Sequence, residues 1–194
     1  FIKNDDVCLI LGDNIFYGKT LPTILKDSLK KVENNNYSKI FACRVNNPER
    51  YGVIELNQSN ELLSIQEKPE YPKSNYAVVG LYFYKNDVIQ KAKNIIPSKR
   101  GELEITDINS IYLNENRLKI QKLDSVFWLD TGTHDSLVEA SNFIKTVENR
   151  EGKKVSCLEE IAYKYKYIDD KQLKNIINSY NNEYGNYLKR LLND

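Results

Sequence analysis

Residues 76–84, YAVVGLYFY, constrain the fold of this chain more than any other stretch, because they carry no charge and place apolar or aromatic side chains on both faces. Side chains alternate across a strand, so a half-exposed strand would show a polar residue at every second position. This one does not. It belongs in the middle of a sheet that is covered on both sides.

The neighbouring sequence supplies the cover. An apolar run, VCLIL (7–11), predicts a buried opening strand that ends at Gly12, Asp13 and Asn14. KTLPTILKDSLKKVENNN (19–36) predicts an amphipathic helix with Leu21, Ile24, Leu25, Leu29 and Val32 on one face. Thr20 is its expected N-cap and Pro22 sits in the tolerated first turn. A strand over 38–45 then returns, as in a βαβ unit. After the loop 46–52, VIEL and LLSIQEK flank the polar turn NQSN and read as a hairpin. Beyond residue 84 come a short helix (86–95), a charged loop (98–107), a helix to about 115, and the strands LKIQKL and VFWLD, which are expected to complete the sheet. From Thr133 a helix runs to about Asn149, with Leu137, Val138, Phe143, Ile144 and Val147 expected on its buried side. Residues 151–194 offer helical pieces rich in Tyr and Lys. The reading is therefore a three-layer α/β domain over 1–150 with a helical tail over 151–194 for packing or assembly.

Bulk properties narrow the function. A net charge of +1 gives no general attraction to nucleic acid or anionic lipid. No segment reaches membrane-span length and no signal peptide opens the chain. Cys8, Cys43 and Cys157 are far apart and odd in number, and read as reduced, buried thiols of a cytoplasmic protein. A single histidine excludes His-rich metal chemistry. There is no methionine, not even at position 1, which predicts that the natural protein begins upstream of Phe1.

One pattern occurs twice. VCLILGD ends in Asp13 and VFWLDTG contains Asp130, each an apolar strand closing on an acid beside glycine. The two are turn caps, or they stand at one sheet edge, where open α/β sheets bind ligands. Facing carboxylates repel unless a cation lies between them, and magnesium suits such a gap, being held by one or two carboxylates, waters and substrate phosphates. Lys68, before Pro69, and Arg100, before Gly101, are solvated charges or phosphate ligands. No Gly-rich loop able to cradle a triphosphate is present, and His134 reads as the first turn of a helix, with no nucleophilic triad in view.

Six motifs occur in order: LGDNIFYG, NPERYGVIEL, QEKPEYPKSNYAVVGLYFY, PSKRGELEITDIN, WLDTGTHDSLVEASNFI and CLEEIAY. Together they resemble the bacterial glucose-1-phosphate thymidylyltransferases, sugar nucleotidyltransferases that open dTDP-rhamnose synthesis, over essentially the whole chain. The resemblance implies a Rossmann-like mixed sheet and transfer of a thymidylyl group from dTTP to glucose 1-phosphate, giving dTDP-glucose and pyrophosphate. It implies Mg2+ held by Asp13 and Asp130, and a sugar-phosphate pocket lined by Asn14, Gly52, Glu67, Lys68, Val78 and Trp128, with Tyr51 nearby. Lys68 and Arg100 would grip the sugar phosphate. It also implies a homotetramer with an inhibitory site between subunits at Tyr17, Gly18, Glu160 and Ile161. There Lys164 takes a place often held by arginine, and Asp124 one usually basic.

The family's opening G-G-x-G-T-R-L loop and its following lysine are missing from these residues, so the chain is expected to hold the sugar-phosphate side of a site without the nucleotide side. Alone it is expected to be inactive and poorly soluble. A uridylyl- or cytidylyltransferase, and a catalytically silent binding module, are the competing readings.

Overall fold

In the computed structural model the apolar stretch is the central strand that its sequence predicts. Residues 1–193 are described. The strands are β1 (Val7–Ile10), β2 (Asn14–Tyr17), β3 (Ser38–Arg44), β4 (Gly52–Leu56), β5 (Leu62–Glu67), β6 (Tyr76–Tyr84), β7 (Leu118–Lys122) and β8 (Phe127–Asp130). The helices are α1 (Leu21–Glu33), α2 (Val88–Asn94), α3 (Ile105–Asn114), α4 (His134–Glu151), α5 (Leu158–Lys164), α6 (Asp170–Ile177) and α7 (Glu183–Arg190). They form two compact units, residues 1–140 and 141–194. No described helix is long and apolar enough to cross a membrane.

The main sheet of the first unit runs β5-β4-β6-β3-β7, with β1 also paired to β6. Because β6 is apolar on both faces, it feeds two cores. Val78, Tyr82 and Tyr84 join Ile40, Ile54, Ile108 and Tyr112 on the side of α2 and α3. Val79, Leu81 and Phe83 join Val32, Phe41 and Leu123 on the side of α1. That makes three layers, as alternating strands and helices require. The sheet is mixed: β1, β3 and β4 run antiparallel to β6, and β7 runs parallel to β3.

One edge of β6 is shared by two strands. The end of β1 pairs Ile10 with Leu81, and β4 pairs Val53 with Ala77. Between these pairings the edge is open at residues 78–80. On the other side of β6 the register with β3 slips between Ile40↔Tyr82 and Ala42↔Val78. Gly80 sits in this irregular stretch, where bulges and close backbone approaches favour glycine. Its carbonyl still accepts from Leu11 N at 2.9 Å. Its N–H has no strand partner and donates instead to the Asn14 side-chain oxygen at 2.9 Å. A Cβ on Gly80 would lie 2.7 Å from that oxygen, so no larger residue fits without displacing Asn14.

Several expectations are corrected. VFWLD does not complete the main sheet: β8 pairs antiparallel with β2 in a separate two-stranded ribbon, Asn14 opposite Asp130 and Tyr17 opposite Phe127. The opening strand is buried on one side only, with Ile10 57% exposed, and Cys8 is exposed while Cys43 and Cys157 are buried. Alternation explains both, since Val7 and Leu9 pack on the core and Cys8 and Ile10 face away. Burial pushes the Cys43 thiol up to about 12, with the Asp124 charge adding to it. On α1, Ser28 and Val32 are buried and Leu29 is exposed, so the packed stripe is rotated from the one read in the sequence. Thr20 does stand at the N-cap of α1 as expected, although its side chain makes no capping bond. On α4, Ala140 is the buried residue and Leu137 and Val138 are exposed.

The second unit has its own small core of Cys157, Leu173, Ile177, Tyr187 and Leu188. Leu173 and Ile177 are one helical turn apart on α6, which a capping box of Asp169 and Gln172 opens. Glu160 is buried in this unit, and both its carboxylate oxygens are occupied, one by Lys164 and one by the Tyr187 hydroxyl. Burial pushes the Glu160 carboxyl up, but these two bonds outweigh it and the net shift is downward from 4.5. The tie therefore contributes fully above 4.5 and is lost as pH falls through the lowered folded value. Glu160→Gln should lower the melting temperature at neutral pH, and its gap from wild type should close as the pH is taken below 4.5, read by circular dichroism. Asn14→Ala leaves the Gly80 N–H without its acceptor, an expected loss of about 1–3 kcal/mol in urea unfolding. Trp128, the one tryptophan of the chain, is the fluorescence reporter for that experiment.

Candidate active site

The open stretch of the β6 edge is the floor of a cleft of about 290 Å3. Asp13 arrives from the turn between β1 and β2 and Asn14 from the start of β2, Tyr51 and Gly52 from the start of β4, and Glu67 and Lys68 from the end of β5. Val78 and Gly80 come from β6, and Trp128 and Asp130 from β8. All the site residues read from the sequence thus converge here except Arg100 and the proposed regulatory set.

The two aspartates meet through the ribbon. The β2–β8 register sets Asn14 opposite Asp130, and Thr131 donates both its backbone N–H and its hydroxyl to the Asp13 carbonyl, each at 2.9 Å. A Cβ on Gly132 would lie 3.1 Å from Asp130 Oδ1 and 3.8 Å from Asp13 Oδ2. The missing side chain leaves a space that both carboxylates border. Asp13 Oδ1 accepts from Asn14 Nδ2 at 2.8 Å, which turns Oδ2 toward that space. Asp130 Oδ1 accepts from Gly132 N at 3.1 Å, and Oδ2 from the Tyr51 hydroxyl at 3.3 Å.

Two carboxylates bordering a gap fit a magnesium ion that completes its shell with water and substrate oxygens. No cluster of three or more His, Cys, Asp or Glu occurs among the described residues, so an all-protein cage is not what this arrangement offers. Burial, and next the Asp130 charge, pushes the Tyr51 phenol up, so Tyr51 stays a donor at neutral pH.

Asn14 joins the parts. Its Oδ1 accepts from Gly80 N at 2.9 Å and from Trp128 Nε1 at 2.7 Å, while Nδ2 donates to Asp13. Trp128 is held in turn against Tyr51, edge to face, with ring centres 5.0 Å apart.

On the opposite wall, Glu67 Oε2 accepts from Thr106 Oγ1 at 2.5 Å. Gly52 makes room for this pair, since a Cβ there would lie 3.3 Å from both oxygens. Glu67 Oε1 faces Arg100 Nη1 at 3.9 Å. Lys68 follows in left-handed backbone, φ 42°, fixed by a bond from its N–H to the Tyr51 carbonyl at 3.0 Å. Such a conformation costs a non-glycine residue energy, more so before proline. It turns Lys68 off the strand's alternation at the cleft.

Arg100 does not line the cleft. It sits in the tight 98–102 loop, where Gly101 takes φ +79°, and pairs with Glu102 at 2.8 Å and Glu104 at 3.5 Å as well as Glu67. Tyr17 and Gly18 lie at the end of the β2–β8 ribbon in the first unit, where a Cβ on Gly18 would meet the Ser125 carbonyl at 2.9 Å. Glu160 and Ile161 lie in the second, Glu160 engaged as described and Ile161 44% exposed. Asp124 accepts from the Tyr76 hydroxyl at 3.4 Å, and His134 opens α4, exposed.

Sequence reasoning missed Arg50, Thr106, Gly80, Tyr82, Ile105 and Leu11, which also line the cleft. Arg50 and Thr106 lie inside motifs already singled out, NPERYGVIEL and PSKRGELEITDIN. Motif membership was their only signal.

Comparison with known proteins follows the same lines. The nucleotidyl transferase family model matches residues 1–147. A glucose-1-phosphate thymidylyltransferase of Neisseria meningitidis serogroup A is 48% identical over 194 residues, covering 99% of this chain and 66% of that protein. One from Mycobacterium tuberculosis H37Rv is 50% identical over 196 residues, covering 98% and 66%. The chain thus spans 66% of the length of these relatives. Among solved structures, a Bacillus anthracis protein assigned as a glucose-1-phosphate thymidylyltransferase, in complex with sucrose, superposes with a TM-score of 0.64 at 40% identity over 74% of this chain and 56% of that one. A three-layer mixed sheet, two carboxylates bordering one gap and a family match over most of the chain agree: this chain belongs to the nucleotidyl transferase family.

Proposed function

We propose that the protein of which these residues are part transfers a thymidylyl group from dTTP to glucose 1-phosphate, giving dTDP-glucose and pyrophosphate. The observation that carries this reading is the pair Asp13 and Asp130 bordering the Gly132 gap, with Glu67 and Lys68 across the same cleft. The names of the relatives, 48% and 50% identical, supply the substrates.

In this reading a sugar-phosphate oxygen forms a bond to the α-phosphorus of the triphosphate as the bond to pyrophosphate breaks. The attacking oxygen is already ionised at neutral pH, so no side chain need remove a proton. The demand on the protein is positioning and charge neutralisation. Asp13 and Asp130 would hold magnesium, which supplies positive charge to the phosphates when bound. Lys68 contributes a cation to the sugar phosphate. Glu67, fixed through Oε2 by Thr106, keeps Oε1 for sugar hydroxyls. Trp128 and Tyr51 give the ring apolar faces. Of the two cations read from the sequence, Lys68 lines the cleft, and Arg100 would have to leave carboxylate partners to reach a phosphate.

The same reading takes the enzyme to open dTDP-rhamnose synthesis, in the cytoplasm, as a homotetramer with an inhibitory site between subunits, to which the resemblance assigns Tyr17, Gly18, Glu160 and Ile161. The competing nucleotide is UTP, because an apo UDP-glucose pyrophosphorylase superposes with a TM-score of 0.62 at 26% identity.

The test is magnesium-dependent pyrophosphate release by the full-length protein with glucose 1-phosphate and each of the four triphosphates. dTTP should give the highest kcat/KM, and preference for UTP would replace the thymidylyl reading. Asp130→Asn should lower turnover by about 10²–10³-fold, the range seen when a preorganised charge-stabilising group is removed; unchanged turnover would overturn the metal-site assignment. Glu67→Gln should raise the KM for glucose 1-phosphate about tenfold and leave that for the triphosphate unchanged.

A further inference from the structure

Arg50 and Tyr51 are adjacent in sequence, yet both reach the same oxygen of Asp130. Arg50 Nη2 lies 3.9 Å from Asp130 Oδ2, and the Tyr51 hydroxyl donates to it at 3.3 Å. Neighbouring residues of a strand point to opposite faces. Here they converge because a 3-10 turn at Pro48–Arg50 ends where Tyr51 becomes extended, at φ −131° and ψ 173°. The guanidinium also lies over the Tyr51 ring, 5.5 Å from its centre. The Arg50 side chain is 45% exposed and lines the cleft, whereas the Asp130 side chain is 18% exposed.

The distance is informative. At 3.9 Å the pair is an electrostatic contact without a hydrogen bond, and with Arg50 45% exposed the solvent screens it, so it adds little to stability. It is weak enough to part. Among the described residues, Arg50 is the cation within 4.0 Å of the Asp130 carboxylate, one of the two that border the gap beside Gly132. Asp13, the other carboxylate on that gap, accepts from the Asn14 amide and has no ion-pair partner among the described residues.

We propose that Arg50 is the counterion of Asp130 in the metal-free protein, that a divalent cation displaces it, and that the released guanidinium takes a substrate phosphate at the mouth of the cleft. The inference rests on the reading of Asp13 and Asp130 as a divalent-cation site and assigns Arg50 a part in it. Arginine suits the role because its planar fork can leave one carboxylate and grip a phosphate through two N–H groups.

The experiment uses the full-length protein without sugar phosphate or nucleotide. Mn2+ affinity is measured from the free-ion electron paramagnetic resonance signal for wild type, Arg50→Gln, Arg50→Lys and Asp130→Asn. Inorganic pyrophosphate affinity is then measured by calorimetry at saturating Mn2+. Arg50→Gln should bind Mn2+ about fivefold more tightly, the factor for one unit charge about 4 Å away in water. It should bind pyrophosphate several-fold more weakly, and Arg50→Lys should lie near wild type in Mn2+ affinity but bind pyrophosphate less tightly than wild type, because lysine keeps the charge and lacks the planar fork. If Mn2+ affinity in Arg50→Gln equals wild type while Asp130→Asn loses it, the counterion role is overturned and the cation site stands. If pyrophosphate affinity is unchanged, the phosphate role is overturned. If Asp130→Asn keeps wild-type Mn2+ affinity, the cation-site reading itself fails, and the counterion inference with it.

Discussion

The cleft depends on the Asn14 carboxamide. A sheet edge shared by two strands leaves an unpaired backbone donor at the point where they part, and an unpaired buried donor is costly. Filling that place with a strand would close the cleft. A short side chain supplies the missing acceptor and leaves the volume free. Asn14 accepts from Gly80 N and Trp128 Nε1 and still donates to Asp13. Aspartate could accept the first two bonds but would repel Asp13. Glycine at residue 80 is the other half of the arrangement, because only the missing Cβ lets the amide come this close.

From that bond the other positions follow. Trp128 is fixed by Asn14, and Tyr51 packs on Trp128 and donates to Asp130. Each acid of the cleft accepts from a neutral donor: Asp13 from Asn14, Glu67 from Thr106, and Asp130 from Gly132 on one oxygen and Tyr51 on the other. The second oxygen of Asp13 turns to the gap, and those of Glu67 and Asp130 face arginines at 3.9 Å. Such preorganisation lets charged groups meet a ligand with little rearrangement.

Much of this was legible in the sequence, and what was not has a physical cause. The central strand, the β4–β5 hairpin and the α4 start follow from local signals: uninterrupted apolarity, a polar turn between short strands, and the DTGTH segment. The exposure of Leu137, Val138 and Leu29 was not legible, because periodicity marks an apolar face without saying what covers it. The β2–β8 ribbon was missed since NIFY is a short segment just beyond the opening strand's Gly-Asp break, and no local signal separates a strand in the main sheet from one that leaves it.

By itself the sequence determined which strand is central, which residues belong to the ordered motifs, and that Asp13 and Asp130 each close an apolar strand beside glycine. It did not determine how those two acids meet. Parallel neighbours would have set them at one carboxyl edge, but β1 and β8 lie in different sheets, and the β2–β8 ribbon brings the acids together at Gly132. That outcome belongs to tertiary structure: Asn14 and Trp128 are 114 positions apart, and nothing local encodes a hydrogen bond between them. The same holds for Arg50 and Tyr51, whose convergence on Asp130 needs both a turn ending at residue 50 and a ribbon that delivers the carboxylate.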